Sequence, residues 1–257
     1  MLSKEELVEI AEHKNITLKN AEKDYLQDML LFNLYKLFGR KLIFKGGTCL
    51  YKVYGLNRFS EDLDFNLVKH FKVKNILEKC LYSMKTYGVS GRIKFIDEYQ
   101  KTINIGLEFF GPRYDGSKQS MCFLSLDMSL RKKPILEPRP ELVFPKSKDI
   151  PSFELFAMDE KEILAEKISA VYSRNKARDV YDLWFLTKKA VEIDTELIQK
   201  KLKNCKLLFS YSELFKKINE KERIWEPELK DFIIGSLPDF KQVRNYLADH
   251  LKVLTPV

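Results

Sequence analysis

Cysteine and histidine are scarce in this 257-residue chain, which has four of the first and three of the second. Cys49, Cys80, Cys122 and Cys205 are widely scattered with no Cys-x-x-Cys pair, which argues against both a zinc site and a disulfide framework. No stretch approaches the roughly eighteen consecutive apolar residues of a membrane span, and the opening MLSKEELVEI is charged and helix-prone rather than a signal peptide. Internal repeats, heptad arrays and low-complexity tracts are also missing. A soluble globular protein of the reducing cytoplasm, with no membrane partner, is the expectation these absences leave. With 45% hydrophobic residues the chain can bury a sizeable core, as one large or two small domains.

Charge is unevenly spread. Residues 1–150 carry 26 Lys+Arg against 19 Asp+Glu, a net +7, whereas the remainder carries 19 against 18, a net +1. A basic surface concentrates a polyanion and speeds encounter with it, although a lysine-rich surface also serves solubility alone.

The densest pattern runs from Lys41 to Leu67, KLIFKGGTCLYKVYGLNRFSEDLDFNL. Leu42, Ile43 and Phe44 read as a short buried strand, Gly46-Gly47 as a turn, and Thr48 to Tyr54 as a helix. Such a turn can cradle phosphate, because glycine allows close backbone approach and free N–H groups at a helix start favour an anion. Asp62, Leu63, Asp64 and Phe65 then alternate, so a strand places both carboxylates on one face and both apolar side chains in the core. Two adjacent carboxylates repel unless a cation joins them, and a hard divalent ion, Mg²⁺ or Mn²⁺, is the natural partner beside bound phosphate. Separately, each piece has an ordinary structural reading, the first as a turn and the second as a solvent face.

In this order the pieces resemble the nucleus of the nucleotidyltransferase superfamily associated with DNA polymerase beta. Fourteen residues, Thr48 to Glu61, separate turn from carboxylates, a slightly long spacer for the superfamily at large. The full string KGGTCLYKVYGLNRFSEDLDF is more specifically similar to the opening motif of the AbiEii/AbiGii-type nucleotidyltransferase toxins of bacterial type IV toxin–antitoxin systems.

Along the rest of the chain, Ser3 with Glu6 predicts a capping box, and Asn20 a second helix carrying Leu26, Leu30, Leu34 and Leu37 to Gly39. Val73 to Tyr87 reads as an amphipathic helix, followed by strands over Arg92–Tyr99, Thr102–Phe109 and Met121–Leu130, all in one sheet. Prolines between Pro134 and Pro145, then Pro151, predict an irregular connector, and the pattern beyond it is helical, with Asp159 and Glu162 as a cap pair. Asp127 is the only charge in its apolar strand and needs a cation or hydrogen-bond partners. The resemblance places a third carboxylate there, and Glu108, in INIGLEFF, is the rival.

A second block, EILAEKISAVYSRNKARDVYDLWFL, spans residues 162 to 186. Lys167 stands at the margin of an apolar face, where a lysine can snorkel to water. After a break at Ser173-Arg174-Asn175, Asp179 and Asp182 share a helix face, and Arg178-Asp179 with Lys167 can equally form an ion-pair network. The string also resembles the family's lysine and Arg-Asp motifs, which the resemblance assigns to the active site.

The resemblance implies an α+β fold, a nucleotidyltransferase-type mixed sheet flanked by helices over residues 1–150, followed by a C-terminal helical bundle over 151–257 that contributes to the active site. It implies Mg²⁺-dependent transfer of a nucleoside monophosphate from an NTP with loss of pyrophosphate. Asp62, Asp64 and Asp127 would hold metal, Lys45, Gly46, Gly47, Thr48, Arg58 and Ser60 would meet the nucleotide, Lys167 would neutralise phosphate, and Asp179 would act in catalysis or orient Lys167. It implies an RNA acceptor, tRNA foremost, with arrest of translation, a cognate antitoxin and a place in phage defence. Modification of a protein hydroxyl or small molecule, or an inactive binding fold, are the alternatives. The trio Arg131-Lys132-Lys133 adds weak support for polyanion contact. Ser60, two residues before Asp62, is a candidate phosphorylation switch, or simply a loop serine.

Overall fold

A computed structural model describes residues 1–130 and 133–254, so Arg131 and Lys132 of the basic trio lie outside the described residues. Two compact units result, one formed by residues 1–55, 59–134 and 138–158, the other by 56–58, 135–137 and the chain from residue 159 onward.

The first unit begins with helix α1 (Lys4–Lys14), opened by the expected capping box: Ser3 Oγ accepts from the Glu6 N–H and Glu6 accepts from the Ser3 N–H. Helix α2 (Leu18–Phe38) starts earlier than Asn20, because the Thr17 hydroxyl takes the cap position and Asn20 supplies the capped N–H. It ends as expected at Gly39, whose φ of 52° lies where side chains fit poorly. Leu26, Leu30 and Leu34 are buried, but Leu37 is exposed. The helix is buried on several sides, which is why no single apolar stripe describes it.

Seven strands form one mixed sheet: β1 (Leu42–Lys45), β2 (Leu63–Leu67), β3 (Ser90–Tyr99), β4 (Thr102–Phe110), β5 (Cys122–Ser129), β6 (Arg139–Val143) and β7 (Phe153–Ala157). Their order is β3-β4-β5-β2-β1-β7-β6, with β2–β5 and β1–β7 parallel and the other neighbours antiparallel. Helix α3 (Gly46–Lys52) follows β1 and starts two residues before Thr48, while α4 (Val73–Thr86) precedes β3. On β2 and β5 the residues Leu63, Phe65, Leu124, Leu126 and Met128 are buried in the core, where α2 packs against β5 and α4 against β3.

The proline-rich segment is not an irregular connector: it contains β6, and β7 follows. Pro140 is tolerated because β6 is the edge strand, where a missing N–H breaks little of the ladder. For the same reason the division expected after residue 150 falls later, since Phe153–Ala157 belongs to the sheet.

The second unit contains α5 (Glu160–Ser173), α6 (Ala177–Lys188), α7 (Thr195–Lys203), α8 (Tyr211–Asn219), α9 (Glu222–Leu229) and α10 (Phe240–His250). Tyr181, Trp225 and Phe240 form a run of ring contacts at 6.0 and 5.4 Å in its core. Asp159 caps α5 by accepting from the Lys161 N–H, but Glu162 is not its capping partner. The Glu162 carboxylate accepts the N–H groups of Ile135 and Leu136 at 2.8–2.9 Å and pairs with the buried Lys201, so it ties the segment 135–137 into this unit.

Several polar residues of α2 are buried in the first unit. Asp24 pairs with Lys14 and Lys52, and Lys52 also reaches Asp28 at 2.6 Å. Burial pushes the Asp28 carboxyl up, and the neighbouring Asp24 charge adds to this while Lys52 opposes it. Removing Lys52 leaves two carboxylates in a dry place short of one counter-charge. Lys52→Met is therefore expected to cost about 3–5 kcal/mol, measured as a lower urea midpoint.

Candidate active site

The strand register gathers three of the predicted residues of the first unit into one row. Lys45 on β1 is opposite Asp64 on β2, Asp64 is opposite Asp127 on β5, and Asp127 is opposite Asn104 on β4. Register partners on neighbouring strands share a face about 4.8 Å apart. Because Leu63, Phe65, Leu126 and Met128 occupy the core face, Asp64 and Asp127 take the other, where both are partly exposed. Glu108 shares that face but lies opposite Phe123, and it is held by Arg92 (2.7 Å) and Lys94 (3.1 Å). The structure thus brings Asp127, and not Glu108, beside Asp64.

Gly46 closes on this row from the end of β1. Its φ is 74°, and a Cβ there would stand 2.4 Å from Asp64 Oδ2, so the turn requires glycine both for its conformation and for its close approach to the carboxylate. No side chain caps the start of α3. Gly47 and Thr48 are buried behind it. The Thr48 hydroxyl donates to the Asp62 carbonyl, so its contact is with the acidic loop.

Asp62 is exposed, immediately before β2. The loop leading to it is fixed from α2: Gln27 Nε2 donates to the Ser60 and Glu61 carbonyls at 3.0 and 2.8 Å, and Lys23 pairs with Glu61 at 2.7 Å. Ser60 is buried, which hides its side chain from a modifying enzyme. Gln27 and Lys23 were not among the residues singled out from the sequence. The available signal was a set of polar residues at three- and four-residue spacing on a helix rich in leucine.

Among the described residues no group of three or more His, Cys, Asp or Glu side chains is arranged to hold a metal ion. Asp64 and Asp127 nevertheless fit Mg²⁺ in chemistry, since that ion uses one or two carboxylates and completes its octahedron with waters and substrate phosphates. Asp62, exposed on the loop immediately before β2, is not gathered with them into a three-carboxylate set.

Lys167, Asp179 and Arg58 are found in the second unit, in a chain of alternating charge. Arg58 makes a bidentate pair with Asp182, Asp182 meets Lys167 at 2.6 Å, Lys167 meets Asp179 at 3.1 Å, and Arg174 forks onto Asp179 at 2.6 and 2.7 Å. All but Arg174 are buried. Burial pushes the Asp179 carboxyl up, but Lys167 and Arg174 together outweigh it and hold the group well below the usual carboxylate range. The Lys167 ammonium therefore does not snorkel. It joins α5 to α6, and the Arg58 guanidinium is turned to Asp182.

Comparison with known proteins identifies the family and the fold. Residues 30–249 match the family model described as nucleotidyl transferase AbiEii toxin, type IV TA system. Among solved structures, the chain is similar to JHP933 from Helicobacter pylori, with 22% identity, a TM-score of 0.62, and 93% of each chain covered. It is also similar to MenT4, a nucleotidyltransferase toxin from Mycobacterium tuberculosis H37Rv, with 18% identity, a TM-score of 0.68, and 100% of this chain and 91% of that one covered. No curated protein sequence matches it.

Two outcomes are expected. Gly46→Ala should lose about 1–2 kcal/mol from backbone conformation alone and displace the Asp64 carboxylate, checked by urea unfolding and by a crystal structure of the variant. Because the folded-state pKa of Asp179 lies below its unfolded value, its stabilising contribution is complete above about pH 4 and is lost as pH falls through the depressed value. The wild-type urea midpoint should fall on acidification below pH 4, and Asp179→Asn, already less stable at pH 7, should fall less over the same range.

Proposed function

The chain belongs to the AbiEii family of nucleotidyl transferase toxins of type IV toxin–antitoxin systems, and from that premise we propose that it transfers a nucleoside monophosphate from an NTP to an RNA hydroxyl. The attacking oxygen bonds to the α-phosphorus, the bond to the β-phosphate breaks, and pyrophosphate leaves. Transfer RNA is the proposed acceptor, arrest of translation the consequence, and a cognate antitoxin the partner.

One observation carries the reading: Gly46 is pressed against Asp64 while Asp64 stands in register with Asp127. That arrangement joins a partly exposed glycine at a helix start to a pair of hard oxygen donors. Asp64 and Asp127, with Asp62, are the residues that would hold Mg²⁺, which when bound supplies charge stabilisation to the phosphates and lowers the pKa of the attacking hydroxyl. The backbone at Gly46 and Gly47 receives the triphosphate, and Lys45 brings a positive charge to the same row. Thr48 and Gln27 fix the backbone around Asp62, so the carboxylates need not be reorganised during the reaction. The second unit keeps its Lys167–Asp179–Asp182 chain as internal structure.

The net +7 of residues 1–150 supports a polyanionic acceptor. Incubation with each labelled NTP and either total RNA or lysate protein tests the acceptor, and label on protein alone would overturn RNA as the substrate. Asp64→Asn and Asp127→Asn are each expected to reduce incorporation at least a hundredfold. A variant that keeps full activity would remove its residue from the site.

A further inference from the structure

The face of the sheet that carries Asp64 and Asp127 continues past them over β5, β4 and β3, and there it becomes aromatic. Phe123 shares its face with Ser125 and Asp127, each two residues further along β5. Phe123 is opposite Glu108 on β4, Ser125 is opposite Gly106, and Gly106 is opposite Phe95 on β3. The Phe95 ring lies directly over Gly106, where a Cβ would come within 2.4 Å of it. The rings of Phe95 and Phe123 are 6.4 Å apart with an interplanar angle of 35°, so they form one tilted surface across three strands above a residue with no side chain.

This surface is open and basic at its edge. Phe123 remains 37% exposed and Phe95 is half-buried, in contrast to Leu124 and Leu126 on the other face of β5. Lys94 lies over the Phe123 ring at 5.3 Å, and Lys94 and Arg92 both keep half-exposed side chains while sharing the single carboxylate of Glu108. Two cations thus share one anion at this edge, while Asp97, two residues beyond Phe95 and opposite Asn104, lies toward the carboxylate end of the face. An apolar core contact does not need cations at its rim, and a protein hydroxyl has no flat face to present.

We propose that Phe95 and Phe123, laid over Gly106, form a stacking platform for the bases of a single-stranded RNA acceptor, with Arg92 and Lys94 meeting its phosphates. Phe123 is four residues from Asp127 along β5, about 13 Å, so a strand whose bases rest on the rings runs along the row toward the carboxylates. Every base has a π-face, so stacking binds without demanding a sequence. The proposal rests on the RNA-acceptor reading above and assigns that acceptor a place.

The test uses full-length protein and a single-stranded RNA oligomer carrying 2-aminopurine, with binding followed by anisotropy in the absence of NTP. Stacking quenches 2-aminopurine. Phe123→Ala and Phe95→Ala should each weaken binding by roughly five- to a hundredfold and relieve the quench, whereas Phe123→Trp should retain both. Phe123→Leu keeps the volume and apolar character without the π-face, and should behave like the alanine variant while its urea midpoint stays near wild type. In transfer assays the ring variants should raise KM for RNA with KM for the NTP unchanged. Tyr82→Ala, an exposed ring on α4, serves as the neutral control.

Unchanged affinity and quench in Phe95→Ala and Phe123→Ala would overturn the platform, as would Phe123→Leu binding as wild type. If the protein labels RNA but the rings do not matter, the platform falls and the transfer reading stands. If RNA binding depends on the rings but label goes elsewhere, the platform stands and the choice of RNA as the modified acceptor falls.

Discussion

Two carboxylates held side by side are the constraint on which the first unit depends. Asp64 and Asp127 stand opposite each other on parallel strands, and at about 5 Å and an effective dielectric near 20 two such charges repel by roughly 3 kcal/mol. Lys45, in register with Asp64 on its other side, offsets part of that repulsion. Here the register is fixed from the core face, because a one-residue slip of β2 would exchange Asp64 for Leu63 or Phe65. The apolar side chains thus set the electrostatics. Lys45 enters the same row from the opposite neighbour, and Gly46 removes the one side chain that would compete with Asp64 for space.

The loop that delivers Asp62 to this row is held by different means. It has no strand register of its own, so its backbone carbonyls are bound individually, by Gln27 and by the Thr48 hydroxyl. A leucine in place of Gln27 would satisfy the packing of α2 but release the Ser60 and Glu61 carbonyls from that helix. This is why α2 carries buried polar groups despite the energy of desolvating them. Asp24, Asp28, Lys14 and Lys52 extend the principle to α3, whose last residue is anchored to α2 by charge rather than by apolar contact.

The sequence made one part of the site legible because that part is local. Alternation across Asp62–Phe65 and the isolated charge at Asp127 placed both strands and both faces, and the glycine pair marked the turn. β6 and β7 were hidden because the prolines around them signal irregular backbone, and only the edge position of β6 makes Pro140 harmless. The start of α2 was hidden because Thr17 and Asn20 are both good caps, and the choice depends on geometry. The spacing of polar residues on α2 marks Gln27 as one of a set but not what it binds, because its partners are backbone carbonyls, which no sequence pattern records.

Arg58 and Lys167 show where motif and geometry diverge. Each lies in a string that resembles a family motif, and on chemistry alone each is a suitable phosphate ligand. In the structure Arg58 and Lys167 are the cations of a buried alternating chain with Asp182 and Asp179, closed at its exposed end by Arg174. Removing any interior member strands an opposite charge away from water, a loss of about 3–5 kcal/mol. A residue fixed in that way is constrained as strictly as a catalytic one, and a motif cannot distinguish the two. The difference lies in what the charged atoms face: Asp64 and Asp127 are partly exposed beside a glycine turn, whereas Lys167 is enclosed with its two counter-charges. The same criterion separates Phe123 from the buried residues beside it, because its partly exposed ring leaves a face for a partner to meet.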